Sequence, residues 1–109
     1  MRIYVPATVH LLGEWYAAGA VASTEEGFVP PDDSEEGEYA ALMSAADASA
    51  ALLRGPGRRI VVVVDTATED RVPLRDVVAV HADVEDRPVD ADPDEDLGWF
   101  AVQEIPDLL

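Results

Sequence analysis

The sequence has 109 residues and a mass of 11.7 kDa, a size typical of one small domain with a single hydrophobic core. Seven Arg and no Lys stand against 23 Asp and Glu, giving a formal net charge of −16, which argues against binding to nucleic acid or to an anionic membrane. Cysteine is absent, so disulfides, thiolate catalysis and Cys-ligated metal sites are excluded. The longest strongly apolar run, residues 60–64, is too short for a membrane helix, and the first residues lack a signal-peptide pattern. We therefore expect one soluble, cytoplasmic domain over residues 1–109.

The first part of the chain predicts a strand and a helix. Residues 2–6 combine β-branched and aromatic side chains and end at a proline, which is typical of a strand. Thr8 is a candidate N-cap for a helix over residues 9–18, which Gly19 would end. In the loop that follows, only residues 27–30 are a candidate for a short edge strand.

A second helix is predicted after an acidic cluster. Asp33 or Ser34 can cap its first turn, and the helix should extend to about residue 54, where Gly and Pro follow. Its apolar residues recur at spacings of three and four, which predicts an inward stripe formed by Tyr39, Leu42, Met43, Ala46, Ala50 and Leu53.

The second half of the chain predicts three strands. Residues 58–65 contain five consecutive β-branched residues and predict a strand that is buried on both faces at the centre of a sheet. Residues 74–84 and 99–105 alternate in hydrophobicity and predict the other two. Residues 84–96 are acidic and aperiodic, and we expect a mobile loop.

These elements predict an α+β two-layer sandwich, with a four-stranded mixed sheet and both helices on one face. The first strand would reach strand 58–65 by a right-handed crossover through both helices, and the last three strands would form an antiparallel meander. The alternative is a ferredoxin-like fold in which residues 27–30 form an extra strand.

Four stretches of the chain, MRIYVPAT, EYAALMSAADAS, VPLRDVVAVHAD and GWFAVQEI, carry a resemblance to a known family. They resemble an uncharacterised family of short acidic actinobacterial proteins, described only as a domain of unknown function. The resemblance implies a source and no activity. Members of that family are longer and have a helix before the last strand, where this chain has only the acidic residues 84–96.

Few residues are candidates for chemistry. His81 and Asp83 are two apart on a predicted strand, so the carboxylate could orient the imidazole for general base catalysis. His10 lies at the carboxyl end of the first strand, where ligands often bind. These three residues define a catalytic or ligand-binding alternative, but without a nucleophile or an oxyanion site a structural role for them is favoured.

Charged segments give no specific site. The alternating acids at Asp90, Asp92, Asp94 and Asp96 do not match an EF-hand loop, so we expect a solvated loop and no metal. Arg54, Arg58 and Arg59 form the one basic cluster, but no phosphate-loop motif surrounds them. We expect these arginines to pair with carboxylates, and we expect no cofactor.

A protein interface is the leading functional hypothesis. Either Trp99 or Phe100 must lie on the sheet face that the helices leave open. Val78 and Val80, or alternatively Val77 and Ala79, are candidates to join it in an apolar patch. We therefore favour a noncatalytic acidic interaction module that binds a protein partner or forms a symmetric homodimer. The alternatives are the small enzyme described above and an acidic mimic of nucleic acid that binds a basic protein site.

Overall fold

The computed structural model describes residues 1–22, 24–67 and 71–109. Within these ranges the chain forms β1 (Arg2–Ala7), α1 (Val9–Ala18), β2 (Ala20–Val21), α2 (Glu35–Leu52), β3 (Ile60–Asp65), β4 (Val72–Pro73), β5 (Val77–Ala82), β6 (Gly98–Phe100) and α3 (Ile105–Leu108). Short 3₁₀ turns at Leu74–Asp76 and Val102–Glu104 lead into β5 and α3. The α+β class that the sequence predicts is confirmed. None of the helices in the described ranges is both long and apolar enough to span a membrane.

Local sequence signals set the starts of both long helices. The Thr8 hydroxyl accepts a hydrogen bond from the Leu11 N–H at 3.1 Å, and the Ser34 hydroxyl accepts one from the Gly37 N–H at 3.0 Å. Both are N-caps of the expected kind. Gly19 ends α1 with a φ of 77°, a left-handed conformation that glycine adopts without steric cost.

Four strands form the main sheet in the order β1-β3-β5-β6, and every neighbouring pair is antiparallel. The predicted meander of the last three strands is confirmed. The predicted parallel pairing of the first strand with strand 58–65 is wrong, because Ala7 at the end of β1 pairs with Ile60 at the start of β3. The chain leaves and re-enters the sheet at the same end, so the sheet is antiparallel rather than mixed and no right-handed crossover is needed.

The two long helices lie on opposite faces of this sheet. Ile3 and Val62 belong to a first core cluster together with Leu12 of α1. Their chain neighbours Tyr4 and Val61 belong to a second cluster, formed with residues of α2. Since successive strand residues point to opposite faces, the expectation of both helices on one face is wrong.

The chain reaches the second face by passing around the outer edge of β1. There the Tyr4 N–H donates to the Phe28 carbonyl at 2.9 Å, and the Phe28 N–H donates to the Tyr4 carbonyl at 2.8 Å. Residues 27–30 contribute only this isolated bridge, so they are not the extra strand of the ferredoxin-like alternative. The bridge satisfies backbone groups at one edge of the sheet.

Helix α2 packs on the sheet through small residues. Its buried positions are Gly37, Ala41, Ala45, Ala46 and Ser49. Tyr39, placed on the inward stripe by the sequence pattern, is 50% exposed, and Leu42 is only partly buried. The Ser49 hydroxyl donates to the Ala7 carbonyl at 2.6 Å and accepts from the Ile60 N–H at 2.9 Å. This residue therefore ties α2 to the point where β1 ends and β3 begins.

The C-terminal part of the chain closes the first face. The predicted strand over residues 99–105 is shorter in the structure, because the chain turns away from the sheet after Phe100. Ile105 lies instead on α3, where it and Leu108 are buried in the first core cluster. The first face is thus covered by α1 and α3, and the second by α2.

Candidate functional site

A buried ion pair joins the start of β3 to the end of β5. Arg59 and Asp83 are 1% and 7% exposed. The Arg59 Nη2 donates to Asp83 Oδ1 at 2.8 Å, and both the Nε and the backbone N–H of Arg59 donate to Oδ2 at 2.9 Å. Both carboxylate oxygens of Asp83 are therefore engaged by one residue.

Two arginines also hold the acidic segment, residues 84–96. Arg59 Nη1 donates to the Pro93 carbonyl at 3.1 Å, and its Nη2 donates to the Glu95 carbonyl at 2.9 Å. Arg87 Nη2 donates to the Asp92 carbonyl, and a backbone bridge pairs Arg87 with Gly57. Hydrogen bonds therefore attach the segment to β3 and to Gly57, contacts that the expectation of a mobile loop does not include.

Arg59, Asp83, Arg87 and Glu95 together form the Arg59 cluster, which is balanced in charge. Burial by itself would raise the pKa of Asp83, but hydrogen bonds from Arg59 and the charges of Arg59 and Arg87 outweigh burial and lower the pKa. The hydrogen bonds to Asp83 raise the pKa of Arg59 despite its burial. Arg87 Nε lies 3.6 Å from Glu95 Oε2. Two cations therefore face two carboxylates.

A cleft of about 380 Å³ opens beside the Arg59 cluster, between the end of α2 and the acidic segment. Arg59 and Arg87 line it, which raises the question of an anion site. Their charges are already matched inside the protein, and Asp47 adds a negative charge to the lining. The cleft therefore does not fit a phosphate.

The expected pairing of the basic cluster with carboxylates is confirmed at two of its residues. Arg59 pairs with Asp83, as described above. Arg58 Nε lies 3.9 Å from Asp86 Oδ1, and its Nη2 donates to the Leu108 carbonyl at 2.9 Å.

The structure does not bring the three residues of the catalytic alternative together. His10 lies on the exposed side of α1, where its Nε2 is 2.9 Å from Glu14 Oε1. His81 pairs in register with Val61, so its side chain is on the other face of the sheet. Asp83 is occupied by Arg59 and does not orient an imidazole.

The four residues expected at an interface are divided between the core and the surface. Val80 is fully buried in the first core cluster, and Phe100 packs partly buried against the same cluster. Val78 is 38% exposed next to an irregularity in the β3–β5 register. Trp99 is 60% exposed. Of the two aromatic residues, Trp99 is therefore the one that faces solvent.

Trp99 lies on the face of the sheet that carries α2, because it pairs in register with His81. His81 is half-buried, and this burial lowers the pKa of its imidazole. Leu97 packs against the second core cluster, and the Tyr39 hydroxyl of α2 donates to Asp96 Oδ1 at 3.0 Å. We call these five residues, Tyr39, His81, Asp96, Leu97 and Trp99, the Trp99 surface.

The alternating acids of residues 90–96 accept hydrogen bonds from groups of the protein itself. Asp92 Oδ1 accepts from the Asp94 N–H at 2.9 Å, and Asp96 accepts from Tyr39. In residues 1–22, 24–67 and 71–109, no group of three or more His, Asp or Glu side chains is placed to hold a metal ion.

Comparison with known proteins places the chain in a family. A family model described as a family of unknown function, DUF6912, matches residues 1–91. The chain belongs to this family. The DUF6912 match includes Arg59, Asp83 and Arg87 of the Arg59 cluster and ends before β6, so Trp99 lies outside it. No curated protein and no solved structure matches the chain.

Sequence reasoning missed the role of Arg87 and Glu95 in the Arg59 cluster. A signal was present, because Arg87 is the one cation among the many acids of residues 84–96. An isolated cation in such a segment favours internal pairing. Its partners could not be identified, since they depend on how the segment folds back over Gly57.

Proposed function

We propose that the protein is a noncatalytic acidic interaction module that docks a protein partner on the Trp99 surface. The observation that carries the proposal is the 60% exposure of Trp99 on a sheet whose other aromatic residues, Tyr4 and Phe100, are buried and partly buried. Tryptophan is enriched at the positions that contribute most to binding energy in protein interfaces. An indole left in solvent beside half-buried apolar neighbours is typical of such a position.

The state of the ionisable residues supports a noncatalytic role. Asp83 stabilises the fold through Arg59, and His10 pairs with Glu14 in solvent. His81 therefore has neither the second histidine nor the free carboxylate that the catalytic alternative requires.

Affinity capture with matched aromatic variants tests this proposal. The immobilised protein, its Trp99→Ser variant and its Tyr16→Ser variant are each incubated with a lysate of the source organism. Tyr16 is the control because it is also exposed, at 39%, but lies on α1, across the sheet from the Trp99 surface. We expect the wild type and Tyr16→Ser to retain the same partner and Trp99→Ser to lose it. Two results would contradict the proposal: all three forms retain the same proteins, or none of the three forms retains a protein.

A homodimer is a second candidate, favoured by the position of β6. This strand is last in the strand order, so its outer edge pairs with no strand in the described part of the chain. Two copies of β6 could pair across a two-fold axis and bring their Trp99 side chains together. Sedimentation equilibrium at micromolar concentration and moderate salt tests this candidate, and a strictly monomeric species would rule it out.

We further propose a cytoplasmic location in an actinobacterium. The support is the composition, which lacks Cys, Lys and Asn and is rich in Ala, Val, Arg and Asp, as expected from a GC-rich genome. Localisation of a fluorescently tagged copy in the source organism tests the cytoplasmic part.

A further inference from the structure

We infer that the partner of the Trp99 surface is a basic protein segment that stacks an arginine or lysine side chain on the Trp99 indole. This inference rests on the proposed function and adds the chemistry of the partner. Two observations combine in it: an exposed indole, and carboxylates on the chain immediately before it.

The negative charge next to Trp99 is dense. Residues 90–96 contain five carboxylates and no cation, and the last of them is three residues before Trp99. The hydrogen bond from Tyr39 to Asp96, burial and the charges of Asp96 and Asp94 raise the pKa of the Tyr39 hydroxyl, and the opposing charge of Arg59 does not cancel this rise. A cation approaching this surface is therefore attracted.

Of these five carboxylates, the arginines of the described part of the chain pair only with Glu95. Arg59 and Arg87 lie beneath the segment and are largely buried, and their charges are matched by Asp83 and Glu95. Asp94 and Asp96 make no ion pair with any cation in the described part of the chain. Their charge is therefore available to a partner.

Arginine and lysine satisfy both features of the surface at once. Their cationic groups bind the face of an indole and also pair with carboxylates, arginine in a planar geometry that allows both contacts. A second copy of this chain brings another −16 charge and the same carboxylates to the contact. Nucleic acid brings phosphates, which the same charge repels. Charge complementarity thus selects a basic segment of another protein.

The test uses a labelled peptide of alternating arginine and glycine, with a glutamate–glycine peptide and an uncharged leucine–serine peptide as controls. Binding is followed by anisotropy of the label. In a Trp15→Phe background Trp99 is the only tryptophan, so its fluorescence shows whether the peptide reaches the indole. We expect only the arginine peptide to bind and to change this fluorescence. We also expect Trp99→Ala to weaken its binding by about 2- to 30-fold, the range of cation–π contributions.

A charge-matched pair of double variants separates local recognition from general attraction. Asp94→Asn/Asp96→Asn removes two charges from the segment that precedes Trp99. Glu14→Gln/Asp107→Asn removes two from α1 and α3, on the opposite face. We expect the first to weaken binding several-fold more than the second, and urea unfolding of each variant verifies that it is folded.

Four outcomes would overturn the inference. Equal binding of the arginine peptide to wild type and Trp99→Ala, or equal losses in the two double variants, would show attraction without a site. Trp99-dependent binding of the uncharged peptide, or self-association through Trp99, would assign the surface to another occupant and leave its docking role intact. Failure of the proposed function itself is a separate result, seen as loss of Trp99-dependent capture from the lysate.

Discussion

Arg59 is a charged residue in the most buried part of the molecule, so its partners determine whether it stabilises or destabilises the fold. Moving a guanidinium out of water is costly, and only close, well-oriented partners offset that cost. Asp83 supplies two oxygens, while the carbonyls of Pro93 and Glu95 take further N–H groups. The pair therefore holds the acidic segment against β3 and β5, in addition to contributing its own electrostatic energy.

Removing the carboxylate of Asp83 should therefore destabilise the fold strongly. We expect Asp83→Asn to lower the free energy of unfolding by about 3–5 kcal/mol, because the Arg59 cation stays buried without its counter-charge. Urea unfolding at about pH 7 measures the effect. The control is Asp65→Asn, which removes an exposed carboxylate paired with the N-terminus and should cost much less. Equal losses in the two variants would contradict the assigned role.

The pH dependence of that loss follows from the lowered pKa of Asp83. A carboxyl group whose pKa is lower in the folded than in the unfolded state stabilises the fold above its unfolded pKa, about 3.9. This stabilisation decreases as the pH falls through the lower pKa of the folded state. The difference between wild type and Asp83→Asn should therefore be full at about pH 7 and shrink below about pH 4. A difference that stays constant down to about pH 3 would show that packing, and not charge, causes the loss.

At the scale of elements, α2 packs closely because its buried positions are small. Ala45 and Ala46 are fully buried, and they allow the helix backbone to lie close to Val61 and Val63 of β3. Close-packed interiors have little room for added atoms, so enlarging these positions forces the helix away from the sheet.

A pair of alanine substitutions on α2 tests this packing. We expect Ala45→Leu to destabilise the protein by about 1–3 kcal/mol through overpacking against the sheet. Ala40→Leu adds the same atoms at an exposed position of the same helix and should be nearly neutral, since leucine and alanine have similar helix propensities. Thermal unfolding of both variants gives the comparison, and equal stability of the two would show that α2 does not pack as described.

The sequence predicts the ends of these elements better than their faces. Thr8, Gly19 and Ser34 act through local hydrogen bonds and backbone conformation, which are readable within a few residues. Which residues of α2 face the sheet could not be read in the same way, because alanines occur on all of its sides. The spacing therefore places the larger Tyr39 inward, where the structure leaves it half-exposed, whereas Ala46 and Leu42 of the same predicted stripe belong to or pack against the second core cluster.

The candidate site shows the same division between local and long-range information. That Trp99 and Phe100 point to opposite faces follows from strand periodicity, but which one is exposed depends on how α3 folds back over the first face. The contacts of Arg59 with the acidic segment are also long-range, since they join residues more than thirty positions apart. Neither the exposure of Trp99 nor the contacts of Arg59 with the acidic segment can therefore be predicted from the periodicity of the sequence.

For the whole molecule, the sequence predicts that β3 is buried on both faces, but it does not predict which element covers the second face. All five residues from Ile60 to Val64 are buried, as the β-branched run indicates. The expected cover for the second face was another copy of the chain, whereas the structure covers it with α2. An apolar strand of this kind requires cover on both faces, and one chain provides it when its helices lie on opposite sides of the sheet. The Trp99 surface, which we propose for a partner, is smaller than the open face that the sequence predicts.

The net charge of −16 on 109 residues should make stability depend on ionic strength. Most of the 23 carboxylates lie at the surface and repel one another more strongly in the folded chain than in the expanded unfolded chain. Added salt screens this repulsion, whereas the buried Arg59–Asp83 pair is screened much less. We therefore expect the melting temperature at about pH 7 to rise between dilute buffer and roughly 0.5 M NaCl.

Near the pI of about 4.1 the net charge is close to zero, so the same addition of salt should leave the melting temperature almost unchanged. Differential scanning calorimetry at the two pH values makes the comparison. A melting temperature that does not rise with salt at neutral pH, or that rises equally at both pH values, would show that charge repulsion does not limit the stability of this fold.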